Sequence, residues 1–182
     1  MSSWYLPPLL LTALLGLSQC KKSNSGPAKP EDQLPPATQT GANTFGCLVN
    51  GQPWTPQGYN GTSNYSVVYD TGIQGGHLDI QTYRYPDASN ALQGLAIISG
   101  QIVQVGTYSL RSPQRAAALY SDYKLGCYWS SRDSATTYRR GRLTITRLDL
   151  NAGIVAGTFE FTLAQPGCDT IRVTQGRFDK QL

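Results

Sequence analysis

The stretch that most limits what this chain can become is Gly153 to Leu163. Val155, Phe159, Phe161 and Leu163 share one parity, and Thr158, Glu160 and Thr162 share the other. A period of two is the side-chain repeat of a strand with one buried face; a helix would scatter these side chains around its axis. Composition extends the reading to the whole chain. Tyr 11, Gly 19 and Pro 11 stand against Met 1, and charged residues reach only 14%. That is a sheet-and-turn composition, which excludes a coiled coil, a helical bundle and a helical solenoid. A length of 182 residues suits one sizeable domain.

Further strands follow at short intervals from Thr44. Phe45, Cys47 and Val49 alternate with Gly46, Leu48 and Asn50, and Asn50-Gly51 is a hairpin signal. Tyr65 to Asp70 is a second strand, and Leu78, Ile80 and Thr82 share one face of a third. Leu92 to Val105 reads as a strand pair or one bent strand broken at Ser99-Gly100, and Gly106 to Leu110 is short. Leu119 to Ser130 reads as one long strand with Leu125, Cys127 and Trp129 on a face. Between Arg142 and Leu150 the apolar parity switches, which predicts a bulge. Asn151-Ala152-Gly153 and Pro166-Gly167 are turns, and Gly176 turns the chain into a last strand, Arg177 to Leu182. Pro113 to Leu119 is the one helical-looking stretch. The expectation is a single antiparallel all-β domain over residues 44–182, a sandwich or barrel of about nine to ten strands.

Residues 1–19 read as an export signal. The apolar run Leu9 to Leu17 is too short to span a bilayer, which takes about 20 residues. Leu17-Ser18-Gln19-Cys20 resembles the lipobox of bacterial lipoproteins, with Cys20 as the lipidated residue; Gln19 is larger than the usual residue there, and the first five residues carry no Lys or Arg. An ordinary secretory signal with a chance cysteine, or a short buried helix, is the alternative. Residues 20–43 read as a lipid-anchored flexible linker, since Leu34 is their only large apolar residue among four prolines.

Asn43 to Trp54, Gly141 to Asp149, Gly153 to Phe161 and Gly167 to Asp179 together resemble a group of uncharacterised envelope lipoproteins of Bacteroidota. The resemblance implies a β-rich lipoprotein in the cell envelope, in the outer membrane, and brings no known activity or functional residue.

Few residues suggest chemistry. With Cys20 given to lipid, Cys47, Cys127 and Cys168 leave one disulfide and one thiol; parity favours Cys47–Cys127, with Cys168 as the alternative partner. No C-x-x-C spacing supports a zinc site. Asp149, Asn151 and Glu160 match three calcium-loop positions, but Gly153 and Ile154 occupy places that need an oxygen ligand and a glycine, so a hairpin turn is the better reading. His77, Asp79, Gln81, Tyr83 and Tyr85 share one parity of the third strand. They are either a ligand face of rings and polar groups or the solvated side of a strand. Arg139, Arg140 and Arg142 form the one basic cluster, suited to lipid phosphates, acidic glycans or a protein partner, or to guarding a sheet edge.

No nucleophile elbow, zinc-protease helix motif or phosphate loop occurs, so no catalytic residue, metal or cofactor is assigned. A formal charge of +4 is too mild for a dedicated nucleic-acid binder. The expectation is a membrane-anchored, non-catalytic domain that binds a ligand, a glycan or a protein partner or supports envelope assembly. A glycan hydrolase using scattered aspartates and a protein-interaction or inhibitor module are the alternatives.

Overall fold

A computed structural model describes residues 1, 29–86, 91–111 and 115–182. The signal segment, Cys20 and the linker up to residue 28 lie outside the described residues. Among the described residues eleven strands run in chain order: β1 (Thr44–Val49), β2 (Gln52–Trp54), β3 (Tyr65–Asp70), β4 (His77–Arg84), β5 (Gln93–Ser99), β6 (Gly106–Ser109), β7 (Ala116–Asp122), β8 (Cys127–Ser130), β9 (Tyr138–Asp149), β10 (Ile154–Gln165) and β11 (Cys168–Gln181). They form two antiparallel sheets, β2-β1-β11-β10-β9-β6 and β3-β4-β5-β7-β8. The sheets do not close on one another, so the architecture is a sandwich and not a barrel.

The alternation in β10 is the core of the larger sheet. Val155, Phe159, Phe161 and Leu163 are buried between the sheets, with Leu143 and Ile145 of β9 and Ile171, Val173 and Phe178 of β11 beside them. From the other sheet Leu78, Ile80, Leu95, Ile97, Ala118, Tyr120 and Trp129 close the core. The parity switch in β9 is a bulge at Thr146: Ile145 pairs with Gly157 and Arg147 with Ala156. Gly157 is obligatory on packing grounds, because a Cβ there would lie 2.3 Å from the Thr144 carbonyl oxygen.

Three strand expectations and the disulfide pairing change. Ala116 to Leu119 is strand, because both faces of β7 are buried in the sheet and that tertiary burial outweighs the helix propensity of Ala116, Ala117 and Ala118. Leu119 to Ser130 is a hairpin, β7 to β8, with Leu125 exposed in its turn. Gly176 is no turn; β11 runs through it with a bulge at which Phe159 and Phe161 pair with Gly176 and Val173. The disulfide joins Cys127 to Cys168, with Sγ–Sγ 2.04 Å and Cα–Cα 6.0 Å, and not Cys47 to Cys127. Cys127 begins β8 and Cys168 begins β11, so the bond staples the edge of one sheet to the other. The indole of Trp129 donates to the carbonyl of Asp169 at 2.8 Å beside it. Cys47 is buried on β1 opposite Trp54, and burial pushes its thiol well above the ordinary range, so it stays protonated.

The linker ends earlier than composition suggests. Leu34 is buried, Pro35 lies over Gly46, and residues 38–41 wrap the carboxylate of Asp179. Thr38 Oγ1 donates to Asp179 Oδ2 at 2.7 Å, Thr40 N–H to the same oxygen at 2.8 Å, and Gly41 N–H to Oδ1 at 2.8 Å. Residues 34–43 are therefore a strap across one end of the larger sheet's outer face, with Gly41 beside Ile154. Polar contacts hold it where apolar ones are scarce, a route that a hydrophobicity argument does not count.

Candidate functional site

The proposed ligand face of β4 has the expected parity. Leu78, Ile80 and Thr82 point inward, while His77, Asp79, Gln81 and Tyr83 point outward, with Tyr85 just beyond the strand. Its polar and aromatic groups are largely engaged with their own surroundings. The Tyr83 hydroxyl donates to the Thr62 carbonyl at 2.7 Å and accepts from Asn60 N–H at 3.1 Å. The two rings meet edge to face at 5.9 Å, and Tyr85 packs so closely on Gly58 that a Cβ there would approach its ring to 2.8 Å. Gln81 Nε2 donates to Asp79 Oδ2. Among the described residues His77 Nδ1 and Asp79 Oδ1 are buried without a hydrogen-bond partner. The tyrosines, however, pin the loop of residues 56–64. Tyr83→Ser with Tyr85→Ser should therefore destabilise by about 1–2 kcal/mol, through lost ring packing and hydrogen bonds, and open that loop to protease. Thermal melting and the first cleavage site check this; an unchanged melt would return the rings to the solvent.

The basic cluster divides. Arg139 faces away from its neighbours and donates to the carbonyls of Ser131, Asp133 and Thr136, clamping the loop before β9. Arg140 and Arg142 lie on the outer face of the larger sheet. Sheet register adds two arginines that the local reading missed. Arg140 pairs with Thr162, which pairs with Arg172, and Thr144 pairs with Thr158, which pairs with Arg177. Between those rows Arg142 pairs with Glu160, and their side chains bridge at 3.2 Å.

These three strands make a trough. Central β10 carries the short outward side chains Thr158, Thr162 and Ala164, with Glu160 among them, while β9 and β11 carry Tyr138, Arg140, Arg142, Arg172 and Arg177. Long side chains thus stand on both sides of a hydroxyl-lined floor. The walls are two strand spacings apart, about 10 Å, and the floor from Thr158 to Ala164 runs about 20 Å. One groove here, of about 590 Å³, is lined by Tyr138, Arg140, Glu160, Thr162, Thr170 and Arg172 among others. A second of about 440 Å³ continues past Glu160 to Arg142, Thr158 and Arg177, and reaches Ala37 of the strap. Four arginines face one carboxylate. Among the described residues, no hydrogen bond or ion pair holds the guanidinium of Arg140 or Arg172. Arg177 is held locally, by Gln175 and the Pro35 carbonyl.

A second polar group closes the sandwich at the other end of β4. Arg84 shares the inward parity of Leu78, Ile80 and Thr82, a signal visible in the sequence as a charge on a core face. Its Nε donates to Gln93 Oε1 at 2.7 Å, and Gln93 Nε2 donates to Asp122 Oδ2 at 2.6 Å. The guanidinium lies 5.3 Å from the Trp54 ring centroid, and burial lowers its pKa from the ordinary value. This network joins β2 of one sheet to β4, β5 and β7 of the other, a structural role.

Fold and site together define a two-sheet, disulfide-stapled β-sandwich with a strapped outer face and an arginine-walled trough. The chain belongs to the DUF6252 family, a domain of unknown function, whose match covers residues 87–180. The match takes in β5 to β11 and the whole trough, whereas β1 to β4, which complete both sheets, precede it. No curated protein and no solved structure matches the chain.

Proposed function

We propose that this protein is an exported lipoprotein, anchored to the cell envelope through Cys20, whose β-sandwich is a non-catalytic binding domain working through the outer face of β9–β11. The observation that carries the reading is that trough, where the guanidinium groups of Arg140 and Arg172, unpaired among the described residues, stand over a floor of threonine hydroxyls. Convergent polar groups in a preformed concavity are what recognition needs. The anchor rests on Leu17 to Cys20 and on the resemblance to Bacteroidota envelope lipoproteins. The strap shortens the tether: the 14 residue steps from Cys20 to Leu34 span at most about 50 Å when fully extended. The domain therefore works close to the membrane that holds it.

Two substitutions test the two halves. Cys20→Ala should leave the precursor uncleaved or release the protein from the membrane fraction, and normal membrane retention would refute the anchor. Thr162→Trp fills the trough from an outward position without touching the core. It should abolish retention of envelope material while leaving the melting temperature unchanged, and a folded variant that retains the same material as the parent would refute the face.

A further inference from the structure

We infer that the trough along β10 is a site for a linear acidic polysaccharide, a chain of sugars bearing carboxylate or sulfate groups, with Arg140 and Arg172 as its principal anion contacts. This rests on the binding reading above and gives it a ligand class. Arg140 and Arg172 flank Thr162 in a single cross-sheet row, so two forks of donors face each other over one hydroxyl. Guanidinium groups recognise carboxylate and sulfate oxygens in pairs, and among the described residues neither group has a partner to surrender. Thr158, Thr162, Thr170 and Thr174 supply hydroxyls that both donate and accept, as sugar hydroxyls do. Tyr138, half exposed at the end of the trough, offers a flat ring for a sugar to lie against.

The shape excludes the other polyanions that charge alone would admit. A bilayer surface is flat and rewards side chains that insert, but among the described residues Tyr138 is the one large exposed apolar side chain lining this trough. A protein partner needs a central aromatic or aliphatic anchor, and the floor here is threonine and alanine. Single-stranded nucleic acid needs successive stacking platforms, and one tyrosine does not make a series. A narrow groove with polar floor and cationic walls, running from the strap to Tyr138, fits an extended, hydroxylated, anionic chain.

Glu160 gives the inference a specific signature. It sits on the floor between the rows and holds Arg142 at 3.2 Å. A polyanion lying along β10 must pass this carboxylate, so removing its charge frees Arg142 and removes a repulsion at once. A role confined to fold stability would not make the loss of an ion pair improve binding.

The test is titration calorimetry on the full chain in neutral detergent, with polygalacturonate and dextran sulfate as probes and neutral dextran as the blank. The parent should bind both anionic polymers and not dextran, with affinity falling as salt rises. Arg140→Ala with Arg172→Ala should weaken binding tenfold or more, and Glu160→Gln should tighten it several-fold. Arg115→Ala with Arg132→Ala, which removes equal charge beside the smaller sheet, should leave it unchanged. Equal weakening by both arginine pairs, or unaltered binding in Glu160→Gln, would overturn the site, since either means diffuse charge alone. If vesicles of phosphatidylglycerol and phosphatidylethanolamine bind the parent through Arg140 and Arg172 while neither polymer does, the ligand class is overturned and the binding face stands. If Thr162→Trp also leaves retention of envelope material untouched, the face itself falls.

Discussion

Replacing Cys127 and Cys168 with serine is expected to cost about 4 kcal/mol. The bond closes a loop with a sequence separation of 41 residues, and loop-closure entropy alone gives that size. It also ties β8, the edge of the smaller sheet, to the start of β11, so its loss frees that edge where the Trp129 indole meets the Asp169 carbonyl. Chemical denaturation with and without reductant measures the effect. Mapping of native, oxidised protein should find Cys127 joined to Cys168, and Cys47 alkylated only after unfolding, because burial keeps that thiol neutral and unreachable. A stability change under 1 kcal/mol, or ready modification of Cys47 in the folded state, would contradict the arrangement.

The second large effect concerns the strap. Burial of Asp179 pushes its carboxyl up, but hydrogen bonds from Thr38, Thr40, Ala42 and Gly41 outweigh that and hold it below the usual carboxylate range. A folded value below the unfolded one means stability that is complete above the unfolded pKa, about 4, and is lost as pH falls through the folded value. Asp179→Ala should cost about 3 kcal/mol at neutral pH, since hydrogen bonds to a charged acceptor are worth roughly 1.5–3 kcal/mol each. The loss is capped because the strap can swing into water and satisfy its donors there. Protease should then cut within residues 34–43, where the parent resists, and the same cuts should appear in the parent on acidification. An uncut variant would show that Leu34 and Pro35 hold the strap without the carboxylate.

The sheet-forming residues were legible where one strand shows one face to the core. In β10 the alternation of Val155, Phe159, Phe161 and Leu163 gives both the element and its buried side, and the parity switch in β9 marks a real bulge at Thr146. Legibility fails where a decision depends on which strands lie together. Cys47 and Cys127 both look like core cysteines from their own strands, but only topology brings Cys127 to Cys168. The strap was hidden because its acceptor, Asp179, lies 139 residues from Thr40. The trough divides in the same way: Arg140 and Arg142 alternate visibly, whereas Arg172 and Arg177 join them through the pairing of β10 with β11. Parity puts Tyr83 and Tyr85 on the correct face, but their partners, Gly58, Asn60 and Thr62, belong to a loop whose course parity does not describe.

The claim on which the functional account depends is that ligand lies along β10 and not on β4. Arginine-selective modification of the full chain, mapped by mass spectrometry with and without polygalacturonate, reads this directly. Arg140 and Arg172 should be modified readily in the free protein and protected in the complex, while Arg115 and Arg132 react equally in both. Protection of Tyr83 and Tyr85 against nitration, with Arg140 and Arg172 still reactive, would place the ligand on the opposite sheet and contradict the account.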